Sequence, residues 1–361
     1  MIAAGEPVQR PAGARLLVVD AAGQITHARR SRLLDFLRPG DLVIANDAAT
    51  LPASLRGVHA PSGAEIEIRL AGRASLERED ITFTAVVFGA GDWRVRTEER
   101  PQPPPLARGE RLALGPLAAT VEDLLGHPRL VSLRFDGPVD ALWAGLARHG
   151  RPIQYAHLRS ALALWDVWTP IAALPVAFEP PSASFALDWK SIGAMRSHGI
   201  AFATITLAAG ISSSGDAALD ARLPLDEPYR VAAATASAIA RARAKGGRIV
   251  AVGTTVTRAL EHAAAKGGEV RPGADVATQR IGAGTVLHVV DAILSGTHEP
   301  GASHYEVLRA FADGATLARA HAALEALSYR THEFGDSVLI ERTQTVNKRF
   351  TKRRQPLTQA A

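Results

Sequence analysis

The sequence predicts an α/β protein with a mainly parallel or mixed sheet flanked by helices, and with a small β-barrel inserted into it. Three observations carry this. Strand and helix signals alternate from residue 182 to residue 340. A short strand–helix–strand run also opens the chain before residue 57. Between these two stretches the texture changes to short alternating runs punctuated by turns, as in small all-β barrels.

The opening segment reads as a hairpin followed by a short helix and a buried strand. Residues 15–20 (RLLVVD) form an apolar run before Ala21-Ala22-Gly23, and 25–29 alternate weakly behind it. Residues 31–37 read as a helix stopped by Pro39-Gly40, and 41–45 (DLVIA) as a strand ending in Asn46-Asp47. Barrel strands are expected at 65–70, 82–88, 93–96, 111–114, 118–122 and 130–135. The organisation that follows is a discontinuous α/β domain over 1–57 and 150–342, an inserted barrel domain over 58–149, and a basic tail over 343–361.

In the second half, helices are expected at 187–198, 232–245, 256–266, 304–312 and 317–327. Strands are expected at 200–207, 248–252, 285–294 and 338–340. Gly246-Gly247 and Gly267-Gly268 follow two of the helices, where a left-handed C-cap favours glycine. Residues 159–184 are apolar but irregular, and the span from Pro152 to Pro181 holds five prolines. So long a loop suits an ordered lining for a cleft.

Composition narrows the chemistry. The chain has 361 residues, 47% of them hydrophobic and only 5% aromatic, so the core is aliphatic. With no cysteine, disulfides, thiolate catalysis and cysteine-based metal sites are excluded. The N-terminus shows no signal-peptide pattern and no window reaches the length of a membrane span. A cytoplasmic protein without a membrane partner is expected. The net charge of +5 permits a polyanionic partner. Lys348, Arg349, Lys352, Arg353 and Arg354 concentrate charge in the tail, which reads as a solvated end or, more sharply, an RNA-contacting arm.

The most informative segment is 248–261 (RIVAVGTTVTRALE), a buried strand, a Gly-Thr-Thr turn and a helix start. Gly253 permits a tight turn and close backbone approach. Thr254 or Thr255 is suited to cap the helix, whose free N–H groups attract an anionic or polar ligand. A plain N-cap remains the alternative. Arg258 and Glu261 follow within two turns as supporting charges. His298, in Gly296–Gly301, follows the strand read at 285–294 and is the candidate for proton transfer; a loop histidine bonded to backbone is the alternative. Asn46 and Asp47 end another strand and are expected to line the same cleft or to form an Asx turn. The twelve histidines form no metal-binding pattern, so no metal is expected.

Several segments in order resemble the S-adenosylmethionine:tRNA ribosyltransferase-isomerase family of queuosine biosynthesis. They are 33–46 (LLDFLRPGDLVIAN), Pro52-Ala53, 199–207, 244–261 (AKGGRIVAVGTTVTRALE), 289–294, His298 with Pro300, and Tyr329-Arg330 with Phe334-Gly335-Asp336. The resemblance implies an α/β domain interrupted by a small β-barrel. It implies transfer and isomerisation of the ribosyl moiety of S-adenosylmethionine, as co-substrate, to preQ1-modified tRNA, forming epoxyqueuosine with release of adenine and methionine. It also implies that the 253–255 turn and His298 border the cofactor cleft.

The chain departs from the family pattern at several polar positions. Ala49 and Ser54 stand where the family has arginines, and Ala186 and Ala208 where it has histidines. These losses define a second expectation, a divergent paralogue that has lost the reaction and binds or acts on another small-molecule nucleoside. Whether Ala49, Ala186 and Ala208 share one cavity with His298 discriminates the two.

Overall fold

The computed structural model describes residues 1–265, 267–343 and Val346. The basic tail read at 343–361 therefore lies outside the described residues, apart from Thr343 and Val346. Nine strands form one sheet. Their order is Gly273–Ala277, Glu227–Val231, Ala201–Leu207, Leu42–Asn46, Ile249–Val252, Ala292–Gly296, Ser337–Glu341, Arg15–Val19 and Ile25–Arg29. The four central strands from Ala201–Leu207 to Ala292–Gly296 run parallel, and Ser337–Glu341 is parallel to Arg15–Val19. The other pairings are antiparallel, so the sheet is mixed.

Side-chain alternation along the central strands divides the core. Leu42, Ile44, Ile249, Ala251 and Ile293 face one layer. Val43, Ala45, Val250, Val252, Ala292 and Leu294 face the other. Both faces are covered, which explains why these strands read as unbroken apolar runs. Helices Ala233–Ala244 and Thr254–Ala264 pack on the sheet, as does the shorter Trp189–Ser197, which Asp188 caps through the Ser191 N–H at 2.6 Å.

The barrel is closed by six strands in the order Leu117–His127, Leu130–Phe135, Thr82–Phe88, Ala64–Gly72, Ser54–His59 and Arg111–Leu114. It enters the chain between sheet strands Leu42–Asn46 and Ala201–Leu207. Helix Val139–His149 follows it and packs against it so closely that a Cβ on Gly145 would sit 2.3 Å from Leu117.

Several expectations need correction. Residues 93–96 are not a strand; the Asp92 carboxylate accepts the Arg94 N–H at 2.9 Å and holds a turn. The strand read at 285–294 begins only at Ala292, because the Glu261 carboxylate takes the N–H groups of 288–290. The short helix read at 31–37 is present, as a 3-10 helix over Arg30–Phe36. The antiparallel strands Glu227–Val231 and, at the sheet edge, Gly273–Ala277 carried no strand signal, the second being mostly exposed. No helix among the described residues is long and apolar enough to cross a membrane.

Candidate active site

A cavity of about 290 Å³ opens where the central parallel strands end, the usual place for a ligand in such sheets. Four segments build its wall: 179–183, 209–213, the turn 252–255 and the loop 295–304, with 331–333 closing one side. The irregular stretch that ends near residue 184 thus does reach a cleft, through Glu179 to Ala183.

At the turn, Gly253 adopts φ 104°, a conformation closed to other residues at low cost. Its N–H donates to Leu294 O at 2.8 Å, joining the turn to the neighbouring strand. Gly253 itself is the N-cap residue of helix Thr254–Ala264. The threonines do not cap it; Thr254 Oγ1 is instead hydrogen-bonded to His304 Nδ1 at 2.8 Å. The first N–H groups of the helix remain free of side-chain caps.

His298 stands across this turn in the same lining. Its Nε2 lies 3.0 Å from Ser295 Oγ, and its ring stacks on His304 at 4.9 Å. Burial holds His298 well below the usual histidine range, and His304 and His332 add to the shift. His304 is lowered by burial as well. Both imidazoles are therefore neutral near neutral pH, and a neutral imidazole is competent to accept a proton.

Arg258 also lines the cavity. Its guanidinium is fixed by Gln279 O at 2.7 Å, Leu225 O at 2.7 Å and the Glu227 carboxylate at 2.8 Å. Nη2 is buried without a protein partner.

Three other expected site residues lie outside this lining. Glu261 points away along its helix and accepts the N–H groups of His288, Val289 and Val290 at 2.7–2.9 Å. Asn46 is fully buried and extends the sheet, bonding the N–H and C=O of Leu207 and the N–H of Ala48. Asp47 accepts from Thr204 Oγ1 and Thr206 Oγ1, each at 2.7 Å. Sequence position at a strand end does not distinguish a side chain turned into the cleft from one that completes the sheet.

The residues missed by sequence are Tyr155, Glu179, His157, His332 and Glu333. Tyr155 Oη donates to Glu179 Oε1, and the Ser212 N–H donates to Oε2 at 3.1 Å. Burial raises Glu179 to about 7, the hydrogen bond from Tyr155 opposes this, and the charge of Glu333 adds to it. Burial would raise Glu333 too, but the His157 hydrogen bond and the charges of His157 and His332 pull it below the usual carboxylate range. His157 Nε2 lies 3.1 Å from Glu333 Oε2 and its ring stacks on His332 at 4.1 Å.

Comparison with known proteins now decides the family. The family model described as Queuosine biosynthesis protein matches residues 1–340. The chain belongs to this family. A member from Methylobacterium sp. (strain 4-46), named S-adenosylmethionine:tRNA ribosyltransferase-isomerase, is 32% identical over 94% of both chains. One of the same name from Synechococcus elongatus is 30% identical over 91% of this chain and 89% of its own. The crystal structure of S-adenosylmethionine tRNA ribosyltransferase from Thermotoga maritima shares the fold, with a TM-score of 0.50 at 24% identity, covering 94% of this chain and 96% of that one.

Within the family, the four altered positions take on a different meaning. Ala49, Ser54, Ala186 and Ala208 are all absent from the cavity lining that holds His298. Ala49 hydrogen-bonds Leu174 through its backbone, Ser54 Oγ donates to Glu67 in the barrel at 3.0 Å, and Ala208 is buried beside the sheet. The observation that would have favoured a stripped site is not met, and nothing favours the divergent paralogue.

Proposed function

We propose that the chain transfers and isomerises the ribosyl moiety of S-adenosylmethionine onto preQ1-modified tRNA, forming epoxyqueuosine and releasing adenine and methionine. The family match over residues 1–340 is the observation that carries this reading. The cleft supports it chemically. The Gly253–Thr255 turn offers uncapped N–H groups to the nucleoside, with the Arg258 side chain in the same lining. His298 is the proton-transfer residue. Moving a ribosyl group and rearranging its carbon skeleton requires a proton to be taken up and returned, and His298 is held neutral beside the turn. The S-adenosylmethionine is consumed as a co-substrate. The setting of the reaction is the cytoplasm, with tRNA as partner.

The test uses purified full-length protein with S-adenosylmethionine and preQ1-modified tRNA. Release of adenine together with formation of epoxyqueuosine on the tRNA is the expected result. Binding of S-adenosylmethionine with no adenine release at any pH between 6 and 9 would overturn the catalytic reading.

A further inference from the structure

Two carboxylates enter the cavity from distant parts of the chain. Glu179 follows the short strand Pro175–Ala177, and Glu333 lies in the turn between Arg330–Thr331 and Ser337–Glu341. Each is held by its own partner, Glu179 by Tyr155 and the Ser212 N–H, Glu333 by His157. Neither belongs to the segments that resemble the family. Thr331-His332-Glu333 fill the gap between Tyr329-Arg330 and Phe334-Gly335-Asp336, and Glu179 precedes the altered motif that starts at Pro181.

The charge of the lining does not balance. Arg258 is the one lysine or arginine among the lining residues, and Glu227 neutralises it from 2.8 Å. Glu333 has His157 at 3.1 Å and His332 beside it, whereas Glu179 and Glu299 have no lysine or arginine in the lining, and His298 and His304 are held neutral by burial. Two fixed carboxylates sharing a cavity repel each other, and a cation placed between them relieves that repulsion and is desolvated at lower cost.

We infer that Glu179 and Glu333 form a cation subsite of the cleft, which receives a positively charged group of the ligand, a sulfonium or a substituted ammonium. This rests on the reading of the ligand as S-adenosylmethionine and assigns which residues recognise its charge. Glu333 lies on the segment 331–333 that closes one side of the cavity, so the cationic end of the ligand is assigned to that side and the nucleoside end to the helix start.

Three ligands separate the charges: S-adenosylmethionine with sulfonium and ammonium, S-adenosylhomocysteine with ammonium alone, and 5′-methylthioadenosine with neither. Their affinities are measured by calorimetry for the full chain and for Glu333→Gln. The expected result is that Glu333→Gln weakens S-adenosylmethionine by roughly tenfold or more, the scale of a hydrogen bond to a charged group, and leaves 5′-methylthioadenosine unchanged. A similar loss for S-adenosylhomocysteine assigns the subsite to the ammonium; a loss confined to S-adenosylmethionine assigns it to the sulfonium. Equal weakening of all three ligands would overturn the proposal. So would a native chain that binds all three equally, a comparison that needs no variant. If the native chain binds none of them, the nucleoside reading falls and the subsite with it.

Discussion

The Tyr155 hydroxyl donates to the Glu179 carboxyl, and the Tyr155 ring lies under the Arg69 guanidinium at 5.3 Å. Arg69 is fully buried in the barrel, where Glu67 holds it at 2.9 Å and also holds Arg100. One tyrosine thus joins the buried charges of the barrel to the carboxylate that faces the cleft.

Tyr155→Phe removes a hydrogen bond that lowers Glu179, so the carboxyl, already raised to about 7 by burial, moves higher. The groups around it are Tyr155, Glu333 and, over the tyrosine ring, Arg69. A cation binds the ionised carboxylate, so S-adenosylmethionine affinity is expected to rise as pH increases through about 7. In Tyr155→Phe that rise is displaced to higher pH. Affinity measured by calorimetry from pH 6 to 9 checks this; a uniform loss with no displacement would show that Tyr155 acts only in packing.

His298→Asn keeps a polar side chain of similar size but cannot carry a proton. Turnover is expected to fall by about 10²–10⁴-fold, the range for loss of a general acid or base, with S-adenosylmethionine affinity preserved. Stability reports the same group. A histidine held below its usual value of 6.5 favours folding while neutral, and that contribution is lost as pH falls below 6.5. The native protein should therefore lose melting temperature between pH 7 and 5, and His298→Asn should lose less. His304, lowered in the same way, keeps part of the effect in the variant.

Glu261→Ala leaves the backbone N–H groups of His288, Val289 and Val290 without their acceptor. Unsatisfied buried donors cost about 1–3 kcal/mol each, so a destabilisation of several kcal/mol is expected in urea denaturation. Under conditions where the variant remains folded, its ligand affinity should match the native value, because Glu261 does not line the cavity.

The sequence revealed the turn at Gly253 because three strong signals coincide there: an apolar strand buried on both faces, a glycine with positive φ, and an amphipathic helix start. It revealed the barrel through regular alternation, which depends only on neighbours along the chain. The acidic side of the cleft was not legible. Glu179 and Glu333 look ordinary in their local context, and only tertiary folding brings them to one cavity. Asn46, Asp47 and Glu261 show the converse. Their position at the ends of strands or near the turn suggested ligand contact, whereas backbone donors and threonine hydroxyls claim them first.

The place of strand Arg15–Val19 in the sheet has a consequence for how the protein is made. Its parallel partner is Ser337–Glu341, with Leu16 opposite Ser337. During synthesis the strand leaves the ribosome early, yet its partner is translated only after the barrel, the parallel centre and the whole cleft. The barrel, whose ladders join residues between Ser54 and Phe135, is able to close while the sheet is still open. Closure of such distant contacts is slow. The first hairpin must therefore wait with one edge unpaired, and residues 331–333, which precede the closing strand, take their place beside the cavity at the same late step.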